Sequence, residues 1–345
     1  MPDLLFFYEA MYYVAFVCSM CLNSLLLYLV WNHTEKTMRA FANIIIQTVI
    51  VDMITSGVVT FSQIRIESAN GDIFEAPGSS LNKYVYCAHS MIFGGITNIN
   101  FWSIPIQAIY RYIIIVKKKK VTFWYPTMMF AIVTLDSIVC GMPLTISTRF
   151  IGGTPEEAKV KNLPFWKDRD TSNFCLFVAR TWQNLLFMIN MVGQQLIAFV
   201  VLIWLTSRLN KVIRDSKAHL SERTLAMHSQ MTKKLYTQAA LPGFVSILVT
   251  IICGLCFILP DYYGGFFLLL FTPYPWVSVA NPLLTIFCIQ SYRKAVINMF
   301  YNRPRSIISS DVSITLAGSN MRFSGKSTAT VAPATHLSVP SLLNT

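Results

Sequence analysis

IYRYIIIVKKKK, residues Ile109 to Lys120, sets an arginine between two tyrosines, follows it with four apolar residues and closes on four lysines. Three readings fit an apolar helix that ends this way. It could grip nucleic acid, lie on a membrane surface, or form the cytosolic end of a spanning helix. The rest of the chain decides among them.

The chain has 345 residues, 54% of them hydrophobic and 13% charged, with mean hydropathy +0.51. A soluble domain carries about 25% charged residues. Half of that points to a bilayer rather than to a large aqueous core. Seven apolar runs approach the ~20 residues a spanning helix needs. They are Leu4–Trp31, Phe41–Ile64, His89–Val116, Phe123–Ser147, Trp182–Thr206, Tyr236–Pro260 and Phe266–Gln290. Aromatic residues mark many of their ends, as interfacial belts do. No basic segment precedes Leu4 and no small-residue cleavage site follows Val30, so the first run reads as a retained span rather than a signal peptide. No internal repeat is visible, which disfavours a transporter built from duplicated halves.

The net charge of +12 would suggest nucleic acid in a soluble chain. Its distribution says otherwise. With the N-terminus outside, the inner segments hold twenty Lys and Arg and the outer segments eight. Basic residues favour the cytosolic side, and eight acidic residues, among them Glu67, Asp72, Glu75, Glu156 and Glu157, fall outside. Arg111 and the lysine block then lie where the third span leaves the membrane on the cytosolic side. Nucleic acid drops out. The lysine block reads either as an anchor to anionic membrane lipid or as part of something more specific. The sequon Asn32-His33-Thr34 falls inside in this topology and would stay unmodified.

Eight cysteines are present: Cys18, Cys21, Cys87, Cys140, Cys175, Cys253, Cys256 and Cys288. Six lie in apolar runs, where cysteine acts as a small hydrophobe. The pairs Cys18/Cys21 and Cys253/Cys256 have metal-like spacing but no histidine or turn beside them, so packing is their reading. Of the five histidines only His89 falls within a span, and no nucleophile–base set converges, so no enzyme and no cofactor is expected.

Three stretches, AIYRYIII at the end of the third span, LSERTLAMHSQMTKKLYTQAALP (Leu220–Pro242) and NPLLTIFCIQSYRKAV (Asn281–Val296), stand in order at inner membrane edges. Together they resemble the nematode serpentine chemoreceptors of Str superfamily type (Srd, Str, Srh), which are seven-transmembrane G-protein-coupled receptors. The resemblance covers about 300 residues. It implies an all-α seven-helix bundle over residues 1–302, outer N-terminus, cytosolic C-terminus and a short amphipathic eighth helix, followed by a tail over 303–345. It implies a plasma-membrane receptor of the sensory cilium of chemosensory neurons. Such a receptor binds a small odorant or pheromone-like molecule outside and activates a heterotrimeric G protein inside. The rival of another class is a ligand-gated seven-helix cation channel, whose N-terminus would lie inside.

The resemblance also assigns roles. Arg111, flanked by Tyr110 and Tyr112, matches the arginine that couples to G protein, although Tyr110 replaces the usual acid. Lys233 and Lys234 stand at the base of the sixth span, where an acid would lock that arginine. Asn23, Asp52 and Asn281 match a polar cluster that works either as a conformational switch or as static glue. Asp136, inside the fourth span, reads as glue. Cys87 and Cys175 match the outer disulfide. The ligand pocket should open outward and draw on His89, Phe93, Asn98, Trp182, Asn190, Phe257 and Tyr262. Pro242-Gly243 is either a hinge or a fixed kink. Thr285 stands where the Asn-Pro-x-x-Tyr pattern has tyrosine. Tyr292, Val296, Ile297 and Phe300 share a face of a short helix suited to the inner leaflet. The tail holds 9 Ser and 5 Thr in its 43 residues. It reads as disordered, with phosphorylation as a route to an arrestin-type partner.

Overall fold

The computed structural model describes residues 3–35, 38–70, 72–76, 78, 83–119, 121–177, 182–215, 222–258 and 264–301. The tail beyond Asn302, with the readings placed on it, lies outside the described residues.

Long helices dominate: α1 (Asp3–His33), α2 (Arg39–Ser62), α3 (Lys83–Ile115), α4 (Trp124–Ser147), then after a loop region α6 (Trp182–Asp215) and α7 (Glu222–Ile258). At 1.5 Å per residue, even the 24 residues of α2 reach about 36 Å, enough for a hydrocarbon core of ~30 Å. Leu4–His33, Phe41–Ser62, Val192–Asp215 and Phe267–Cys288 are long and apolar enough to cross a membrane, and Trp124–Val139 is a shorter apolar helix. In α3 the apolar run is diluted by Asn98, Asn100, Gln107 and Arg111, all of them buried.

Large apolar side chains face outward along these helices. Met128, Ile132 and Leu135 on α4 and Ile189, Leu196, Val200 and Ile203 on α6 are each more than half exposed. Such a belt is an aggregation liability in water and an ordinary surface in lipid.

The seventh run is interrupted. It forms α8 (Phe266–Phe271), a 3-10 turn at Tyr274–Trp276 and α9 (Val277–Cys288). Pro273 and Pro275 account for the break, since each lacks the N–H that a continuous helix would use. Pro282 inside α9 is accommodated. At Ile289 the backbone turns extended (φ −93°, ψ 111°), and α10 (Gln290–Phe300) begins. Its Tyr292 and Ala295 are buried against α1 and α9, whereas Ile297 and Phe300 are exposed.

A small antiparallel sheet covers one end of the bundle. Its strands β1 (Arg65–Ala69), β2 (Asp72–Ala76), β3 (Arg149–Phe150) and β4 (Cys175–Phe177) run in the order β1-β2-β4-β3. The turn between β1 and β2 holds Asn70 at φ 54°, a conformation that asparagine tolerates. A short helix, α5 (Pro155–Lys161), lies in the same region. Beneath the sheet, Tyr8, Tyr12, Phe74, Trp166, Phe174, Phe267 and Leu268 form one apolar cluster. A second cluster, with Leu26, Phe41, Ile106, Tyr110, Met231 and Tyr292, fills the opposite end, where Arg111 lies.

Candidate functional site: a polar core between helices

Arg111 is the centre of the lower site. It sits 27 residues after Tyr84, hence on the last turns of α3, and is 1% exposed. Its Nη2 donates to the backbone carbonyl of His228 (3.2 Å) and, at 3.4 Å, to Thr232 Oγ1, both on α7. Its Nε and Nη1 have no partner. A snorkelling interfacial arginine would be exposed; this one is a strap between α3 and α7. Tyr110, at the position of the usual acid, is buried in the apolar cluster. Tyr112 turns toward Trp204 of α6, with ring centroids 6.2 Å apart.

The two lysines of α7 part company. Lys233 is exposed, and Lys234 is 1% exposed inside the bundle. Lys234 Nζ donates to Gln107 Oε1 on α3 at 3.0 Å. Sequence reasoning paired the lysines at the helix base; adjacent residues on a helix point about 100° apart, and only one of them meets the partner helix.

Higher in the bundle, Asp52 Oδ1 accepts from Asn281 Nδ2 of α9 (2.9 Å) and from Asn100 Nδ2 of α3 (3.2 Å). Asn23 is nearby in sequence logic but bonds elsewhere. Its Nδ2 donates to Ser19 O (3.0 Å) and to Ser278 O of α9 (3.3 Å). The expected trio is thus two linked contacts on α9, one from α1 and one from α2. Gln238 of α7 donates to Asn281 O and to Thr285 Oγ1, each at 3.1 Å. Thr285 therefore joins α7 to α9 at the place where a tyrosine was absent. Asn100, Gln107 and Gln238 were missed by sequence reasoning. The signal was there, since each is an amide inside an apolar run, where polar side chains face the bundle interior.

The pocket candidates scatter. Asn98 is 1% exposed and belongs to a polar cluster with α4 and α6, as does the half-buried Asn190. Trp182, at the start of α6, is 68% exposed and faces away from the bundle. The side chains of His89, Phe93 and Phe257, and all of Tyr262, lie outside the described residues. Cys175 is disulfide-bonded, and Cys87 stands in the second turn of α3 with its side chain outside the described residues. Cys18, Cys21 and Cys288 are free thiols. Among the described residues no three His, Cys, Asp or Glu side chains come together as a metal site.

Glu67 of β1 was also missed. It is fully buried, and its Oε2 accepts from Trp166 Nε1 and from the Gly265 amide, both at 2.5 Å. One carboxylate thus joins the sheet, the segment after α5 and the start of α8.

A helical bundle with a lipid-compatible surface and buried polar straps between its helices fits a membrane-embedded helical protein. The profile of the serpentine type 7TM GPCR chemoreceptor Srd family matches residues 8–298. The chain belongs to that family. No protein of curated function matches it.

Proposed function

We propose that this receptor binds a small environmental molecule on the outer side and activates a heterotrimeric G protein on the cytosolic side. The observation that carries this reading is the Arg111 strap. A guanidinium presents five N–H donors, and here only Nη2 is engaged, on the backbone and hydroxyl of α7. When α7 moves away from α3, the freed donors meet the unsatisfied carbonyls at the C-terminus of a partner helix. No carboxylate is needed for this lock, which fits a chain with Tyr110 where the acid would stand.

Orientation is supported by the distribution of basic residues and by the disulfide at Cys175, which needs an oxidising compartment. We pair it with Cys87, which places the sheet outside. Arg111, Tyr112, Lys233 and the lysine block then face the cytosol, α10 lies on the inner leaflet, and the tail is open to phosphorylation and an arrestin-type partner. The sensory cilium is the proposed location.

The test is expression of the full chain in a heterologous cell with a G-protein-responsive calcium or cyclic-nucleotide readout, beside Arg111→Ala. Volatile and water-soluble odorants are screened on both. A response lost in the variant at unchanged surface level is the expected result. A ligand-evoked current that survives both the substitution and G-protein blockade would overturn the reading and indicate a channel.

A further inference from the structure

On the proposed cytosolic side, α3 and α6 end in a basic patch that the Arg111 strap does not use. Tyr112 of α3 meets Trp204 of α6, and the Arg208 guanidinium carbon lies 5.9 Å from the centre of the Trp204 ring. Trp204, Arg208 and Lys211 stand at i, i+4 and i+7, so they share one face of α6. Lys117, Lys118 and Lys119 follow shortly after Tyr112 and are exposed, as are Arg208 and Lys211.

The lysines are held in place by the backbone. The Lys117 amide donates to Tyr112 O and the Lys119 amide to Ile113 O, each at 3.4 Å, which folds the chain back over the last turn of α3. Lys118 takes φ 51° to allow this. Helices that end on a left-handed residue usually place glycine there, which has no Cβ to clash. Here the position carries a cation instead.

The patch has no counter-ion. No Asp or Glu occurs between Lys83 and Leu135, and the first on α6 is Asp215. At the sheet end, Arg65, Arg149, Lys159 and Lys161 pair with Glu9, Glu156, Asp72 and Glu157. Lys117, Lys118, Lys119, Arg208 and Lys211 have no ion pair among the described residues. Toward the bilayer centre, Ile197 and Val200 continue the face of Trp204, and all three are more than half exposed. One face of α6 thus passes from bare aliphatic side chains, through an aromatic ring at headgroup level, to cations. A phospholipid has the same order, from acyl chain to phosphate.

We infer that the seam between α3 and α6 binds a polyphosphoinositide of the inner leaflet. Its chain lies along Ile197 and Val200, and its phosphates lie among the three lysines, Arg208 and Lys211. Clusters of about four to eight Lys and Arg just cytosolic of a span suit such headgroups. A lipid with a single net charge would leave most of these cations unmatched, and the Arg208 fork can clasp a phosphate through two bonds. The site also adjoins the strap: Asn210, beside Lys211, accepts from Thr232 at 3.4 Å, the hydroxyl that Arg111 reaches. The inference rests on the orientation proposed above.

The test is native mass spectrometry of the full chain in detergent micelles, titrated with phosphatidylinositol bisphosphate, phosphatidylserine or soluble inositol trisphosphate. The bisphosphate lipid is expected to bind at least about tenfold more tightly than either of the others. Lys117→Gln with Lys118→Gln and Lys119→Gln should weaken it at least about tenfold, and so, separately, should Arg208→Gln with Lys211→Gln. The α6 pair leaves the backbone cap of α3 intact, and a thermal melt without lipid checks that each variant is folded. Arg293→Gln with Lys294→Gln removes as much charge from α10 as the α6 pair does from α6, and should leave the affinity unchanged. Phosphatidylserine bound as tightly, or an equal loss in the α10 variant, would reduce the patch to a general electrostatic anchor and overturn the site. Affinity retained in both site variants would overturn it too. Inositol trisphosphate bound as tightly would assign the patch to a soluble polyphosphate instead of a lipid. Selective lipid binding by a chain that activates no G protein would leave the site standing and overturn the receptor's coupling. Activation with no preference for the bisphosphate would do the reverse.

Discussion

At the level of single side chains, the buried Asp52, Glu67, Arg111 and Lys234 are each fastened to neutral donors or acceptors on another element. Glu67 is the clearest case, with Trp166 and Gly265 both donating to one oxygen. Gly265 has φ 75°, and a Cβ there would stand 3.0 Å from the Phe165 ring. Only glycine presents its amide to the carboxylate in that conformation. Glu67→Ala leaves two buried N–H groups unmet at about 1–3 kcal/mol each. The purified protein should melt several degrees lower, and Glu67→Gln, which keeps one acceptor oxygen, should recover part of the loss. An unchanged melt would mean that water replaces the carboxylate. None of this was readable in the sequence, because Glu67, Trp166 and Gly265 stand 99 residues apart in successive steps, and Trp166 and Gly265 lie in loops without periodicity. Asp52 and Arg111 were readable, because an ionisable group inside an apolar run costs too much to face lipid. What the sequence left open was the partner: Lys234 seemed to belong with Lys233 at the helix base and instead reaches Gln107.

At the level of elements, α7 is tied to α3, α9 and α10 by hydrogen bonds that its movement would break. Gln230 Oε1 accepts the Gln290 amide at 3.1 Å and so caps the first turn of α10, whose preceding Ile289 offers no side-chain cap. Losing one such bond costs about 1 kcal/mol, or roughly fivefold in local opening. Gln230→Ala should therefore speed hydrogen exchange of the first α10 amides about fivefold, with the amides of α2 unaffected. Exchange unchanged in the variant would show that Tyr292, which bonds Thr34 Oγ1 at 2.9 Å, holds the helix alone. Gly243 is fixed by its fit against α6. A Cβ on Gly243 would meet Phe199 Cζ of α6 at 2.5 Å. Gly243→Ala should destabilise by about 1–3 kcal/mol through overpacking. A second change, Phe199→Leu, should restore most of that in a thermal melt. Among the described residues, the first, second, fifth and seventh runs coincide with helices long and apolar enough to cross a membrane. The break in the seventh was signalled by Pro273 and Pro275, yet two prolines within a spanning run are tolerated often enough that they do not announce a break. The sheet departs from the all-α expectation; the hairpin pair Asn70-Gly71 between RIESA and DIFEA was its signal and went unread.

For the molecule as a whole, the proposed orientation puts the sheet and α5 in the outer medium and the Asn32 sequon in the cytosol. The segment around α5 also carries a pH dependence. The Glu157 carboxyl is held below the usual range, first by the Gly153 amide it accepts at 2.9 Å and then by Lys161. A depressed carboxylate contributes stability above its unfolded pKa, and that contribution is lost as pH falls through the folded value. Exchange protection of α5 should thus fall below about pH 4 and stay level between pH 6 and 8. Orientation has a sharper test. Asp170 is exposed, and Asp170→Asn creates the sequon Asn-Thr-Ser in the segment after α5 without disturbing the short turn, since asparagine keeps the oxygen that accepts the Ser172 amide at 2.9 Å. Thr34 of the natural sequon bonds Val30 O at 2.6 Å and Tyr292, so Asn32 lies in a helical, tethered setting as well as on the proposed inner side. In cells the Asp170→Asn protein should gain one glycan, removable by an endoglycosidase, and the parent protein none. A glycan on the parent that vanishes with Asn32→Gln, with none gained at position 170, would invert the molecule. Arg111 would then face the outside and could not meet a G protein, while the sheet would face the cytosol, where the Cys175 disulfide would not persist.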